Sequence, residues 1–233
     1  MEYCYDCGIE LTKENSNKEH IPARNLYNGY PEEYKQNRIT INACIECNHK
    51  YSKIDQEIRD AIGIMNDVDP NQQEVTRQAV KSILRRNNWK ERVEQNENGN
   101  VVSVSFSYEE LRQLHIKNFK GLFYKTFGQP VPDNYEIEIV SDGDEEYEHL
   151  IKVAQVMHDY INSFNDWKPS GHKDVFMYDI KTMAVNSEGN IDHDDNLDNS
   201  LAVVGILVYH QKLSAVVVAA KKDYLETIKN KYQ

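Results

Sequence analysis

The chain has 233 residues, of which 39% are hydrophobic and 28% charged, with a formal net charge of −11. That length suits one large domain, or a small module joined to a mid-sized one. The acidic balance excludes a protein that coats nucleic acid through bulk charge, so phosphate binding would need locally gathered cations or a bound metal. No apolar run approaches the roughly 18–20 residues of a membrane helix, and no membrane partner is expected.

All four cysteines fall within the first 47 residues, as the pairs Cys4/Cys7 and Cys44/Cys47. The N-terminus lacks the basic and apolar regions of a secretory signal, which predicts a cytoplasmic location. In a reducing compartment two Cys-x-x-Cys pairs are the ligand set of a tetrahedral zinc site rather than of disulfides. The 36 residues between Cys7 and Cys44 exceed the spacing of a simple zinc ribbon, so an insertion sits between the knuckles. The insertion holds Lys18, Glu19, His20, Ile21 and Pro22, then Asn37, then an alternating β-branched stretch from Arg38 to Ala43 that predicts a strand. Asn48 and His49 follow the last cysteine directly. An acid beside a histidine suits hydrolytic metal chemistry: carboxylate oxygen is a hard ligand for Mg²⁺ or Mn²⁺, and a neutral imidazole can take a proton from water near pH 7. Adjacent strand residues point to opposite sides, so Glu19 and His20 cannot approach one metal in the same way.

Beyond the second cysteine pair, Ile54, Ile58, Ala61, Ile62 and Met65 recur at helical spacing, with Gly63 and the run to Pro70 marking the end. A second helix is expected over 71–95. There Arg77, Lys81 and Arg85 recur every four residues, in the main basic stretch of the chain. Lys50, Lys53, Arg77, Lys81 and Arg85 are the candidate phosphate contacts, with a solvated helix face as the alternative. A turn through Asn96–Gly99 leads to a strand at 101–106, and Ser107 and Glu110 form a capping box opening a helix to about Lys125. Then come a strand at 135–140, an amphipathic helix at 145–164, strands at 175–185, 201–209 and 214–220, and a charged terminal helix. The stretch Asn186–Asn199 is acidic without the spacing of a calcium loop and reads as a solvated hairpin tip. The remaining histidines, among them His115, His172 and His210, lack ligand spacing and read as core or surface residues.

The combination of Cys-x-x-Cys, Glu19-His20-Ile21-Pro22, Asn37 and Cys44-x-x-Cys47-Asn48 resembles zinc-stapled HNH endonucleases of the ββα-metal fold, strongly over about residues 4–60. His115–Tyr124 is similar to a segment of longer bacterial HNH proteins. The resemblance implies that His20 is the general base and Asn37 orients it. It implies that Glu19 and Asn48 ligate the catalytic Mg²⁺ or Mn²⁺, with His49 as the alternative to Asn48. Glu19 stands where the family usually has Asp, and Asn48 where it often has His.

The expected fold is therefore α+β: an N-terminal ββα-metal zinc module at 1–65, a helical connector at 66–130, and an acidic mixed domain with an antiparallel sheet at 131–233. The expected function is metal-dependent hydrolysis of DNA, with RNA as an alternative substrate, and a role in defence against foreign DNA by analogy. Two rivals stand beside it: a non-catalytic zinc-binding module for nucleic-acid or protein docking, and a nuclease gated by a partner or ligand at its acidic C-terminal domain, or masked by that domain, which could also carry a homo-oligomer contact.

Overall fold

The computed structural model describes residues 1–64, 73–85, 91–99, 101–105, 107–141, 166–185, 191–192 and 196–232. The helix expected at 145–164 and part of the acidic stretch 186–199 lie outside these. The fold is mixed helix and sheet, with a ββα element at the N-terminus and an antiparallel sheet towards the C-terminus.

Strands β1 (Ser16–Ile21) and β2 (Ile39–Cys44) form an antiparallel hairpin in which His20 lies opposite Thr40 and Glu19 opposite Ile41. The 17 intervening residues (22–38) are folded back as two short 3-10 turns, whose Leu26 and Tyr27 are buried in the core. At the end of β2 the Cys44 sulfur caps helix α1 (Ile45–Lys50) by accepting from the Cys47 amide, and α2 (Ser52–Ile64) follows almost at once.

Helix α3 (Gln73–Leu84) lies antiparallel to α2: a Cβ on Gly63 would stand 2.7 Å from Ala79 Cβ, while Arg59 reaches Ser82 near the other end. This corrects the helix expected over 71–95. Val93–Gln95 is strand β3, paired with β4 (Val101–Val104), because the turn between them closes a hairpin. Asn96 Oδ1 accepts from the Asn98 amide, and Gly99 adopts a positive φ there, so local turn chemistry overrides helix continuation.

Helix α4 (Tyr108–Phe127) opens with the expected reciprocal capping box of Ser107 and Glu110 and closes on left-handed Gly128. It packs over a sheet ordered β5 (Tyr135–Ser141), β10 (Leu213–Lys221), β9 (Ala202–Tyr209), β7 (Phe176–Val185) and β6 (Lys168–Pro169), with β8 (Ile191–Asp192) on the far end of β7. All these pairings are antiparallel.

Alternation along β9 explains the layering: Val203, Leu207 and Tyr209 join the large core beneath α4, while Val204 and Ile206 join a smaller cluster with Leu225 of the terminal helix α5 (Lys222–Tyr232). The large core is continuous from Cys4 and Ile21 through Phe119 to Val217, so the cysteine-bearing N-terminal segment, α4 and the sheet bury their apolar faces against one another. No helix among the described residues is long and apolar enough to cross a membrane.

Candidate active site

Turns and strand ends bring the cysteines together. The Cys4 carbonyl accepts from the Gly8 amide, where φ is positive, and the hairpin returns Cys44 and Cys47 to the same place. The four sulfurs lie within 4.8 Å of one another, close enough to hold a metal ion such as zinc. Tetrahedral Zn–S bonds of about 2.3 Å imply sulfurs about 3.8 Å apart, and Cys7 Sγ and Cys44 Sγ are separated by 3.8 Å. Among the described residues this is the one group of three or more His, Cys, Asp or Glu side chains with metal-ligand proximity. Burial pushes the Cys47 thiol up, and the crowding Cys44 and Cys7 sulfurs push it further. A cation at the centre of the cluster reverses that repulsion.

Alternation along β1 sets the faces of the next two residues. Glu19 and Ile21 turn inward, whereas Lys18 and half-buried His20 turn outward. Glu19 is 6% exposed. Its Oε2 accepts from Asn48 Nδ2 at 3.0 Å, and its Oε1 accepts from the His20 amide at 3.2 Å. Asn48 also donates to the Lys18 carbonyl, which pins α1 against β1. Of the two candidates after Cys47, Asn48 therefore faces Glu19, while the exposed side chain of His49 stands apart from it.

Sequence reasoning missed the third partner. Lys117 of α4 is fully buried, with its ammonium 3.3 Å from Glu19 Oε1 and hydrogen-bonded to Asp55 Oδ2. One ammonium thus serves two buried carboxylates, and Asp55 Oδ1 has no partner among the described residues. Burial pushes the Glu19 carboxyl up, an effect that Lys117 offsets and Asp55 reinforces. Asp55 is likewise pushed up by burial against the pull of Lys117. Next to this group, Asp6 accepts from Tyr51 Oη at 3.0 Å and from Lys120 Nζ at 2.7 Å, tying the first knuckle to the junction of α1 and α2 and to α4. The only signal for Lys117 in the sequence is its place in the segment 115–124.

His20 lies among cations. Burial, followed by the charges of Arg38, Arg24, Lys117 and Lys18, holds its imidazole below the usual histidine range, so the ring is neutral at pH 7. This local cluster supplies the positive field that the chain as a whole lacks. Asn37 is exposed at φ 55, and among the described residues no hydrogen bond joins its side chain to His20. Its carbonyl accepts instead from the Gly171 amide at 3.4 Å. Ser170, also buried, donates to the Ile21 carbonyl and accepts from the Ile39 amide at 2.9 Å, so the β6–β7 connection closes the end of the hairpin next to His20.

The candidate phosphate contacts separate into groups. Lys50 lies 3.6 Å from Asp6, and Lys53, strongly exposed, lies 3.9 Å from Glu57. Arg77 is clamped to Glu74 by two bonds of 2.6 Å. Lys81 and Arg85 line a groove between α2 and α3 and form no ion pair among the described residues.

Comparison with known proteins finds no family model, no curated protein and no solved structure that matches this chain.

Proposed function

We propose that this chain is a metal-dependent endonuclease of the HNH type that hydrolyses phosphodiester bonds in DNA. The observation that carries the reading is the pairing of Glu19 with Asn48, one residue along the strand from His20, on a hairpin and helix held by the four-cysteine cluster. Cys4, Cys7, Cys44 and Cys47 would hold zinc in a structural role, because four thiolates leave no coordination position open for water.

The Glu19–Asn48 pair fits a hard cation. Mg²⁺ keeps several waters and takes only one or two protein oxygens together with substrate phosphate. A half-turn of the Asn48 amide would turn its oxygen, in place of its nitrogen, towards Glu19 Oε2. Bound Mg²⁺ or Mn²⁺ would polarise the phosphate and stabilise the departing 3′ oxygen.

The chain's own residues do the rest. Neutral His20 takes a proton from a water molecule, whose oxygen attacks phosphorus as the P–O3′ bond breaks and the 3′ oxygen is protonated from solvent. Arg24, Arg38 and Lys18 attract the phosphate to that face. Glu19 fixes its neighbour by accepting from the His20 amide, and Lys117 holds Glu19 from behind.

The test is Asn48→Ala at a half-exposed position, with thermal melting measured alongside because Asn48 also ties α1 to β1. The rate of Mg²⁺-dependent cleavage should fall about 10–100-fold, with more Mg²⁺ needed for half-maximal activity. Cleavage with an unchanged Mg²⁺ requirement would remove Asn48 from the site. A second reading, a nuclease gated through its C-terminal sheet, draws on Ser170 and Gly171, which bond directly to both strands of the hairpin and to Asn37. It predicts that cleavage appears only with a partner or ligand bound at that sheet.

A further inference from the structure

Helices α2 and α3 enclose a groove of about 470 Å³ lined by Gln56, Arg59, Gln78, Lys81, Ser82 and Arg85. The spacing of these residues is what two facing helices require. Gln56 and Arg59 are three apart on α2, and Gln78, Lys81, Ser82 and Arg85 fall at i, i+3, i+4 and i+7 on α3. Among the described residues the lining holds three cations, two amides and a hydroxyl, and no carboxylate. The acids nearby are committed elsewhere: Asp60 is buried against Arg59, and Glu74 is held by Arg77 and Gln78. Arg59 is oriented by Asp60 and by Ser82 Oγ at 3.0 Å, which fixes a guanidinium in the groove wall.

In a chain of net charge −11, a groove with three cations and no acid among its described lining residues is a local exception, with Arg59 paired to buried Asp60 and Lys81 and Arg85 exposed. It also lies close to the candidate site along the chain. Lys53 precedes Gln56 and Arg59 on α2, and a rise of 1.5 Å per residue separates Lys53 from Arg59 by about 9 Å along the axis, with about 120° of rotation between them. Lys50 and Lys53 follow directly on the Cys47–Asn48 turn. Lys50 and Lys53, each beside a carboxylate (Asp6 and Glu57), thus lie between the cysteine knuckle and the groove along the chain.

We propose that this groove binds the phosphate backbone of the nucleic-acid substrate away from the scissile bond, through Arg59, Lys81 and Arg85. The inference rests on the nuclease reading for the identity of its ligand. It assigns positioning to the α2/α3 pair: phosphate contacts fix where a strand lies without reading its sequence, and each cation adds to affinity through counterion release.

The experiment measures binding of a fluorescein-labelled 20-base-pair DNA duplex to the full chain by anisotropy, without Mg²⁺, as a function of salt. Lys81→Gln/Arg85→Gln removes two exposed cations that make no ion pair among the described residues, with thermal melting as the check on folding. The equal-charge control is Lys125→Gln/Lys212→Gln, at exposed lysines outside the groove. The groove double variant should bind at least about tenfold more weakly, and its log–log salt slope should be shallower by about 1.8 for two lost phosphate contacts. The control should match wild type. Equal affinity and slope in wild type and groove variant would overturn the proposal, as would an equal loss in the control. Cleavage of the same duplex in Mg²⁺ separates the two readings. If wild type and groove variant bind and cut alike, the groove fails and the nuclease stands. Weakened binding by the groove variant alongside no His20-dependent cleavage supports the groove and removes the catalytic reading. If wild type binds no duplex, both fail.

Discussion

At the scale of single residues, the buried polar group around Lys117 sets the character of the candidate site. A lysine with no exposure pays for its desolvation through two carboxylates, Glu19 and Asp55, contributed by the hairpin and by α2. Removing one member of such a group leaves charge buried and uncompensated, which costs about 3–5 kcal/mol. Lys117→Met should therefore lower stability by that amount, read as a fall in the urea midpoint. A change of less than about 1 kcal/mol would show that Lys117 does not hold the two carboxylates together. The same residue marks where sequence reading stops. Nothing in the periodicity of 108–127 distinguishes Lys117 from the exposed Lys125, because its burial depends on partners 62 and 98 positions away in the chain. The contact of Glu19 with Asn48, rather than with His49, was legible because both residues lie close to the cysteines in the motif.

At the scale of elements, the contact of α4 with β1 decides how rigidly His20 is presented. Gly121 lies against the hairpin so closely that an added Cβ would stand 2.5 Å from Ile21 Cδ1 and 3.1 Å from Ile41 Cδ1. Ile21 adjoins His20 in the chain. Gly121→Ala should cost about 1–3 kcal/mol through overpacking and should lower cleavage more than the stability change explains, because the strand carrying His20 is displaced. Thermal melting alongside cleavage rates checks this, and unchanged values for both would mean that the two elements separate without consequence. Local rules served well where the signal is local: the Ser107/Glu110 capping box and the strands at Tyr135–Ser141 and Ala202–Tyr209 lie where alternation and capping chemistry place them. They failed past Leu84, where pairing of Val93–Gln95 with Val101–Val104 outweighs helical propensity. They also gave no hint of Ser170, whose role as the fastener of the hairpin end exists only once the two parts are packed.

At the scale of the molecule, two buried histidines lie at the seam between the N-terminal half and the sheet. His210 Nδ1 meets Tyr30 Oη at 2.9 Å, and His115 Nδ1 meets Tyr209 Oη at 3.4 Å. Burial lowers both to about 4. The unfolded chain, with histidines near 6.5, binds more protons between these values. The stability contribution is therefore full above about pH 6.5 and is lost as pH falls towards 4, at about 2 kcal/mol per histidine by pH 5. Glu19 and Asp55, whose carboxyls are pushed up, act with the opposite sign, so the comparison must be differential. His115→Gln should lose less stability than wild type between pH 7.5 and pH 5, by about 2 kcal/mol in urea denaturation. Equal losses would show that the ring does not resist protonation in the folded state. The continuous core makes such a seam consequential, since the hairpin and the sheet share one set of buried side chains.

The central claim is that His20 activates water at a metal site built by Glu19 and Asn48. The measurement that tests it most directly is cleavage of supercoiled plasmid in Mg²⁺ and in Mn²⁺ by wild type and by His20→Ala. The account predicts metal-dependent nicking or linearisation by wild type and a rate about 10²–10⁴-fold lower for the variant. Equal cleavage by the two proteins, or none by wild type in either metal, would contradict it.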